Sequence, residues 1–260
     1  MSKTIMLVHG AWLNGDSWAP WKARFEARGF TVAAPHWPYC DRPPAELRAS
    51  PDKNLTRVGP KAIVDHYERE IAKLREAPIL IGHSAGGVWV QHLLDRGHGV
   101  AGVSIDPAPT PGVALGPQAI ISALPVLGDP FSGGKAVQMS RRFFKTRFAQ
   151  TLPRSESDAA YDRYIVPTAG KVYWDGVFGG AGPITWNSKT RAPLLLVAGG
   201  LDLIADASMT KAIYEKQKRA ASKTEFKLYP DRSHWTCLDR GWEEVADAAL
   251  EWALANRRAA

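Results

Sequence analysis

The chain has 260 residues, 45% of them apolar, enough to bury a sizeable core in one large α/β domain or two small ones. The net charge is +7, but the one dense basic cluster, Arg141-Arg142 with Lys145 and Arg147, alternates with Phe143, Phe144 and Phe148 and reads as an amphipathic helix face, so no nucleic-acid partner is expected. Two distant cysteines, Cys40 and Cys237, make neither a disulfide framework nor a zinc site. No apolar run approaches the length of a membrane span, and the opening Met-Ser-Lys-Thr does not resemble a signal peptide; a cytoplasmic chain with no membrane partner is the expectation.

In chain order, Ile5 to Val8 is a short apolar run of buried-strand type, followed by a Gly-containing loop (His9-Gly10-Ala11) and a helix over Ser17 to Arg28. Phe30 to Ala34 is a second strand, and the Pro-rich stretch 35–51 reads as a long loop. Ile63, Tyr67, Ile71 and Leu74 share a face of a helix predicted over Arg57 to Arg75. Pro78 to Ile81 is a third strand, and the helix after it runs to about Arg96. Val100 to Ile105 is a fourth strand, ending in Asp106-Pro107. From Ala108 to Thr190 prolines and glycines are dense and no core-type strand appears. Short amphipathic pieces there carry Phe131, Phe144, Phe148, Trp174, Phe178 and Trp186, which reads as a helical cap inserted into the core. The alternation then resumes with strands at Leu194 to Ala198 and Glu225 to Tyr229 and helices at Ala207 to Arg219 and Trp242 to Ala255. Such alternation means an α/β fold, a mostly parallel sheet of about six strands flanked by helices, with core residues 1–107 and 191–260 and a cap over 108–190.

The chemistry concentrates at strand ends, where ligands of such sheets bind. Gly82-His83-Ser84-Ala85-Gly86 fits G-x-S-x-G between a strand and a helix, the context of a nucleophile elbow. Gly82 and Gly86 leave room for backbone pressed close on either side of Ser84. A serine hydroxyl needs a base. Of seven histidines, His36, His66, His92 and His98 fall on helices or in loops away from strand ends. His83 is the variable elbow residue, expected to point away from the chemistry, and His9 is expected to be structural. His234, after the last strand, is therefore the candidate base. Its acid partner is Asp202 or Asp106, each following a strand; Asp202 is favoured because its strand directly precedes the one bearing the histidine, and Asp206 is a weaker competitor. The Ala85 and Ala11 N–H groups are candidate donors to a developing oxyanion. No cofactor or metal is called for.

Together the elbow, the terminal histidine and the opening Val8-His9-Gly10-Ala11-Trp12 with Trp18 resemble the α/β-hydrolase fold family, and within it the compact esterase and hydroxynitrile-lyase branch. The resemblance implies a triad of Ser84, Asp202 and His234, an oxyanion hole at Ala11 and Ala85, a cap over the pocket, and hydrolysis of a small ester or lactone. Many members place a proline four residues after the acid, where this chain has Asp206. The alternatives are a hydroxynitrile lyase or cofactor-free perhydrolase on the same triad, with Lys135, Lys145 or Lys171 of the cap as possible basic groups, or a ligand-binding receptor. The cap aromatics imply an apolar or aromatic substrate group, or merely pack the cap onto the core.

Overall fold

The computed structural model describes residues 2–258. Strand β1 (Thr4–Val8) leads through a 3-10 turn to α1 (Ala19–Glu26), β2 (Thr31–Ala33), α2 (Pro44–Ala49), α3 (Pro60–Ala72), β3 (Ile79–His83), α4 (Ala85–Asp95) and β4 (Ala101–Ile105). A long insert follows: α5 (Pro117–Leu127), β5 (Ala136–Val137), the short turn α6 (Arg141–Phe143), α7 (Arg154–Tyr164), β6 (Thr168–Ala169) and α8 (Gly170–Val177). The chain closes with β7 (Leu194–Gly199), α9 (Ala207–Gln217), β8 (Thr224–Tyr229) and α10 (Trp242–Asn256).

The main sheet has six strands in the order β2-β1-β3-β4-β7-β8, and each neighbouring pair is parallel. The fully buried strands β1, β3, β4 and β7 are near-continuous apolar runs because helices cover both faces. Successive side chains of β1 alternate between two cores. Ile5 and Leu7 join Trp21, Phe25, Val245 and Leu250 under α1 and α10. Met6 and Val8 join Ile63, Tyr67, Val90 and Leu93 under α3 and α4. Order and direction together put the carboxyl ends of all six strands along one edge.

Three elements depart from expectation. Stretch 35–51 contains a helix, α2, started by a proline whose fixed φ and missing N–H suit a first helical turn. The insert carries a small antiparallel ribbon, β5 with β6, joined by only two paired positions, too short to show as a periodic pattern. The Arg141–Arg147 segment is less regular than one amphipathic helix: α6 widens into a π turn over Phe144–Phe148. Its apolar face is real, with Phe144 and Phe148 buried, while Arg141 pairs with Asp162 and Arg147 donates to Gln118 and to the Leu203 carbonyl. No helix among the described residues is long and apolar enough to cross a membrane.

Candidate active site

Strand β3 runs through His83, and α4 begins at Ala85, so Ser84 alone makes the turn. Its backbone sits at φ 56° and ψ −124°, strained for a residue with a Cβ. The Ser84 N–H donates to the Ile105 carbonyl at 2.9 Å, which ties the turn to β4. The flanking glycines are required by contact: a Cβ at Gly82 would strike the Gly86 backbone, and one at Gly86 would strike the Val8 carbonyl.

His234 lies in the loop after β8 and is wholly buried. Its Nε2 is 2.9 Å from Ser84 Oγ and its Nδ1 is 2.6 Å from Asp202 Oδ2. Asp202 reaches it from the loop after β7, and its other oxygen accepts the N–H groups of Ile204 at 2.6 Å and Ala205 at 2.9 Å. The carboxylate is thus fixed before the histidine binds it. With Nδ1 held as donor, Nε2 is left to accept a proton from Ser84. Burial alone would lower the His234 pKa; the Asp202 charge and hydrogen bond outweigh it and hold the imidazole above its ordinary range.

Asp106 is also brought to the site but does not bond His234. At the end of β4, with φ 43°, it accepts the Gly199 N–H at 2.6 Å through Oδ1, while Oδ2 has no partner. The nearby Thr236 hydroxyl donates instead to the Ser233 carbonyl at 2.7 Å. Burial first, then the charge on Asp202, pushes the Asp106 carboxyl up to about 7. Asp206 serves elsewhere: its side chain accepts the Met209 N–H at 3.1 Å and caps α9. The residue at the family's proline position therefore starts the next helix by a side-chain bond.

His9 is buried, donates from Nδ1 to the Gly10 carbonyl at 2.9 Å and accepts the Trp37 N–H at 3.0 Å, so it shapes the first loop. Burial lowers its pKa to about 3, which keeps it neutral and able to make both bonds. His83 corrects an expectation. Its ring turns under the histidine loop, 4.8 Å from the His234 ring between centroids, and Nε2 lies 2.8 Å from the His234 carbonyl. Burial, then the neighbouring His234, keeps it neutral, so Nε2–H donates to that carbonyl. Nothing in the sequence signals a partner 151 positions away. His83, Asp106 and His234 each offer a possible metal-ligand atom within 4.8 Å of one another. Both His234 nitrogens are already engaged, so a metal there would have to break the Ser84–His234–Asp202 line.

Ser84, Ala11 and Ala85 border a cavity of about 260 Å³ between the strand ends and the insert. The Ala85 N–H is first in α4 and has no intrahelical acceptor, at the end of the helix that favours negative charge. The cavity walls are mostly aliphatic, with prolines and alanines. None of the phenylalanines or tryptophans of the insert lines it. Phe144 and Phe148 pack instead on Trp235, and Phe148 sets its edge 4.7 Å from the His234 ring, while Phe131 and Phe178 are 77% and 81% exposed. Tyr173 of the insert does line the cavity, so of the two roles expected of the cap aromatics, packing onto the core is the one Phe144 and Phe148 take. No lysine lines the cavity; Lys135 pairs with Asp129 and Lys171 with Asp175.

No curated protein matches the chain in sequence. Among solved structures, a monoacylglycerol lipase from Paleococcus ferrophilus is 18% identical with a TM-score of 0.69, over 97% of this chain and 94% of that one. Polyneuridine aldehyde esterase is 14% identical with a TM-score of 0.69, over 97% and 100%. A methylesterase from Arabidopsis gives the same identity, 14%, and TM-score, 0.69, over 97% and 99%. At these identities the likeness is one of fold. The sequence model of the alpha/beta hydrolase family matches residues 5–248, from the first strand to the last helix. A match of that extent, on a six-stranded parallel sheet with a serine elbow after its third strand, makes the chain a member of the alpha/beta hydrolase family.

Proposed function

We propose that the protein is a serine hydrolase of carboxylic esters or lactones with small, largely apolar substrates. One observation carries the reading: Ser84, His234 and Asp202 form an unbroken line of hydrogen bonds at 2.9 and 2.6 Å beneath the cavity. In this reading Ser84 Oγ attacks the ester carbonyl carbon while His234 Nε2 takes its proton. The Ala11 and Ala85 N–H groups stabilise the oxyanion; donors of this kind are worth about 3–4 kcal/mol each. Collapse of the tetrahedral adduct expels the alcohol, which receives the proton from His234. Water, deprotonated by the same histidine, then releases the acid from the acyl-enzyme. Asp202 holds the tautomer and stabilises the imidazolium. Residues 108–190 act as the cap that keeps the reacting ester from bulk water.

The aliphatic cavity wall supports an apolar substrate, and a cavity without a lysine offers no cation to hold a cyanide leaving group, so the lyase reading has no observation in its favour. The test is turnover of p-nitrophenyl esters from acetate upward by the wild type and Ser84→Ala. Loss of activity in the variant, with the same melting temperature, is expected; a variant retaining the wild-type rate would refute the assignment.

A further inference from the structure

Helix α8 walls the cavity from the side of the insert. Val172, Tyr173, Gly176 and Val177 line it, spaced i, i+1, i+4 and i+5, which is one stripe of a helix. The Lys171–Asp175 ion pair takes the opposite face. A Cβ placed on Gly176 would meet nothing, so α8 borders open space one turn from Tyr173. The Tyr173 ring stands 5.2 Å from that of Trp12, centroid to centroid. Trp12 is itself fixed, because its Nε1–H donates to the Val137 carbonyl at 3.1 Å. It directly follows Ala11, which puts the tyrosine on the side of the cavity that carries one of the two proposed oxyanion donors.

Six lining side chains carry a polar atom: Ser84, Trp89, His92, Thr110, Ser122 and Tyr173. Ser84 Oγ belongs to the proposed triad. Ser122 donates to the Leu203 carbonyl at 2.8 Å, and Thr110 accepts from Gln91 at 3.3 Å. Trp89 Nε1 and His92 Nε2 are unpaired, but both are enclosed and present essentially no surface to the cavity. Tyr173 differs from the other five. Among the described residues no group hydrogen-bonds its hydroxyl, and that oxygen is not enclosed as the two nitrogens are. Nor does it lie at the outer surface, since burial alone pushes the phenol well above its ordinary pKa. An oxygen that is deep, open and unbonded, on the stripe that faces the cavity, opens on the cavity.

Phenylalanine would pack on Trp12 as well, so the hydroxyl is the part that packing does not explain. A neutral phenol donates one hydrogen bond and accepts others, and its raised pKa keeps the proton in place. No Lys, Arg, Asp or Glu lines the cavity, so a charged substrate group would lose its water without gaining a counter-ion. The fitting partner is an uncharged oxygen that accepts.

We propose that Tyr173 is a specificity-determining residue whose hydroxyl donates to a second, uncharged oxygen of the substrate, so that esters carrying an ether, ketone or hydroxyl oxygen in one limb are preferred over plain hydrocarbon chains. This rests on the ester-hydrolase reading and sharpens it: the substrate is largely apolar but oxygenated at one position besides the scissile group.

The experiment compares p-nitrophenyl hexanoate with three analogues in which an ether oxygen replaces the third, fourth or fifth carbon of the acyl chain. Hexyl acetate and the matching ethers present the same series on the alcohol side. For each ether, kcat/KM is divided by that of the plain chain, in wild type and in Tyr173→Phe. Comparing the two ratios cancels the intrinsic reactivity of the ether and any loss of folded enzyme. The variant removes one oxygen and keeps the ring on Trp12. The wild-type ratio should exceed that of the variant by about fivefold to tenfold at one ether position, with plain chains turned over equally well by both proteins. Equal ratios at every position overturn the subsite. So does a variant that slows plain chains and ethers by the same factor, which would make Tyr173 a donor to the oxyanion instead. Ser84→Ala, with and without Tyr173→Phe, binds esters without cleaving them, so the rise in melting temperature with each ester reads the same preference without turnover. If wild type cleaves no ester, the hydrolase reading fails and these rises still decide the subsite: a larger rise with one ether that Tyr173→Phe abolishes supports it, and equal rises remove it.

Discussion

The strand ends and the insert hold the two sides of one cavity in different ways. At the strand ends each member of the proposed triad is fixed through the backbone. Ser84 is bound to the Ile105 carbonyl, Asp202 by two loop N–H groups, and the loop of His234 by the His83 ring on its own carbonyl. In the insert the corresponding order comes from side-chain packing, with Phe144 and Phe148 wedged against Trp235 and His234. The difference teaches that bond-making geometry is set by directional contacts to regular structure, whereas the roof depends on volume. Changes at the strand ends should therefore alter rate at nearly constant stability, and changes in the insert should alter stability first.

The largest effect is expected from Asp202→Asn. An amide can still occupy the space, but it cannot hold Nδ1–H as the donor, so His234 loses the tautomer that accepts from Ser84; kcat should fall by roughly 10³–10⁴-fold. The pH profile supplies a second readout. In wild type, burial lowers the His234 pKa and Asp202 more than compensates. The acid limb of kcat/KM, where His234 must be neutral to act, should then lie above pH 6.5, the ordinary histidine value. In the variant burial is left less opposed and the limb should move to lower pH. A rate loss under about tenfold would break the contrast, because it would mean that Asp106 replaces the missing acid.

Phe148→Ala tests the other side. The ring is 1% exposed and meets both His234 and Trp235, and truncating a buried phenylalanine costs about 3–5 kcal/mol, with part of that arising from the cavity left behind. Urea unfolding should show a lower midpoint at unchanged slope. Were stability to hold while kcat collapsed, the insert would be acting directly on the reacting groups and the distinction between the two regions would fail.

The same distinction governs what could be read from the sequence. The elbow was legible because strand, glycine spacing and helix are all local, and the glycines at 82 and 86 answer contacts made within the motif and with the adjoining strand. Asp202 and His234 were legible through topology, since alternating strands and helices send their loops to one edge. His83 was not: its partner is a backbone carbonyl that no side-chain pattern announces. Helix α2 was masked by the prolines around it, although Pro43-Pro44 before Ala-Glu-Leu-Arg is itself a helix-start signal. The insert was least legible. Amphipathic spacing marks Phe148 and Phe178 equally as apolar, yet one is buried and the other 81% exposed, because only the docking of the segment decides which face meets the core. His92 shows the same limit. It was set aside as lying away from the strand ends, yet it lines the cavity, because which stripe of α4 faces it depends on how the insert crosses the helix.

The smallest predicted effect separates the two carboxyls at the strand ends. Asp202 is fully bonded, whereas Asp106 accepts one N–H and leaves Oδ2 unpartnered. With its carboxyl raised from 3.8 to about 7, folded Asp106 holds a proton that the unfolded chain has already released. The native state then binds more protons than the unfolded state between those two values, so stability falls as pH rises across that window. The contribution is fully present below pH 3.8 and is lost by the time pH passes about 7. Asp106→Asn keeps the oxygen that accepts the Gly199 N–H and removes the charge. It should therefore be more stable than wild type at pH 8, by on the order of 1–3 kcal/mol, with the two proteins converging toward acid pH. Melting temperatures from pH 4 to 8 measure this directly. Parallel curves for the two proteins would mean that Asp106 is ionised throughout and stabilised by its surroundings, and the difference drawn between the two carboxyls would not stand.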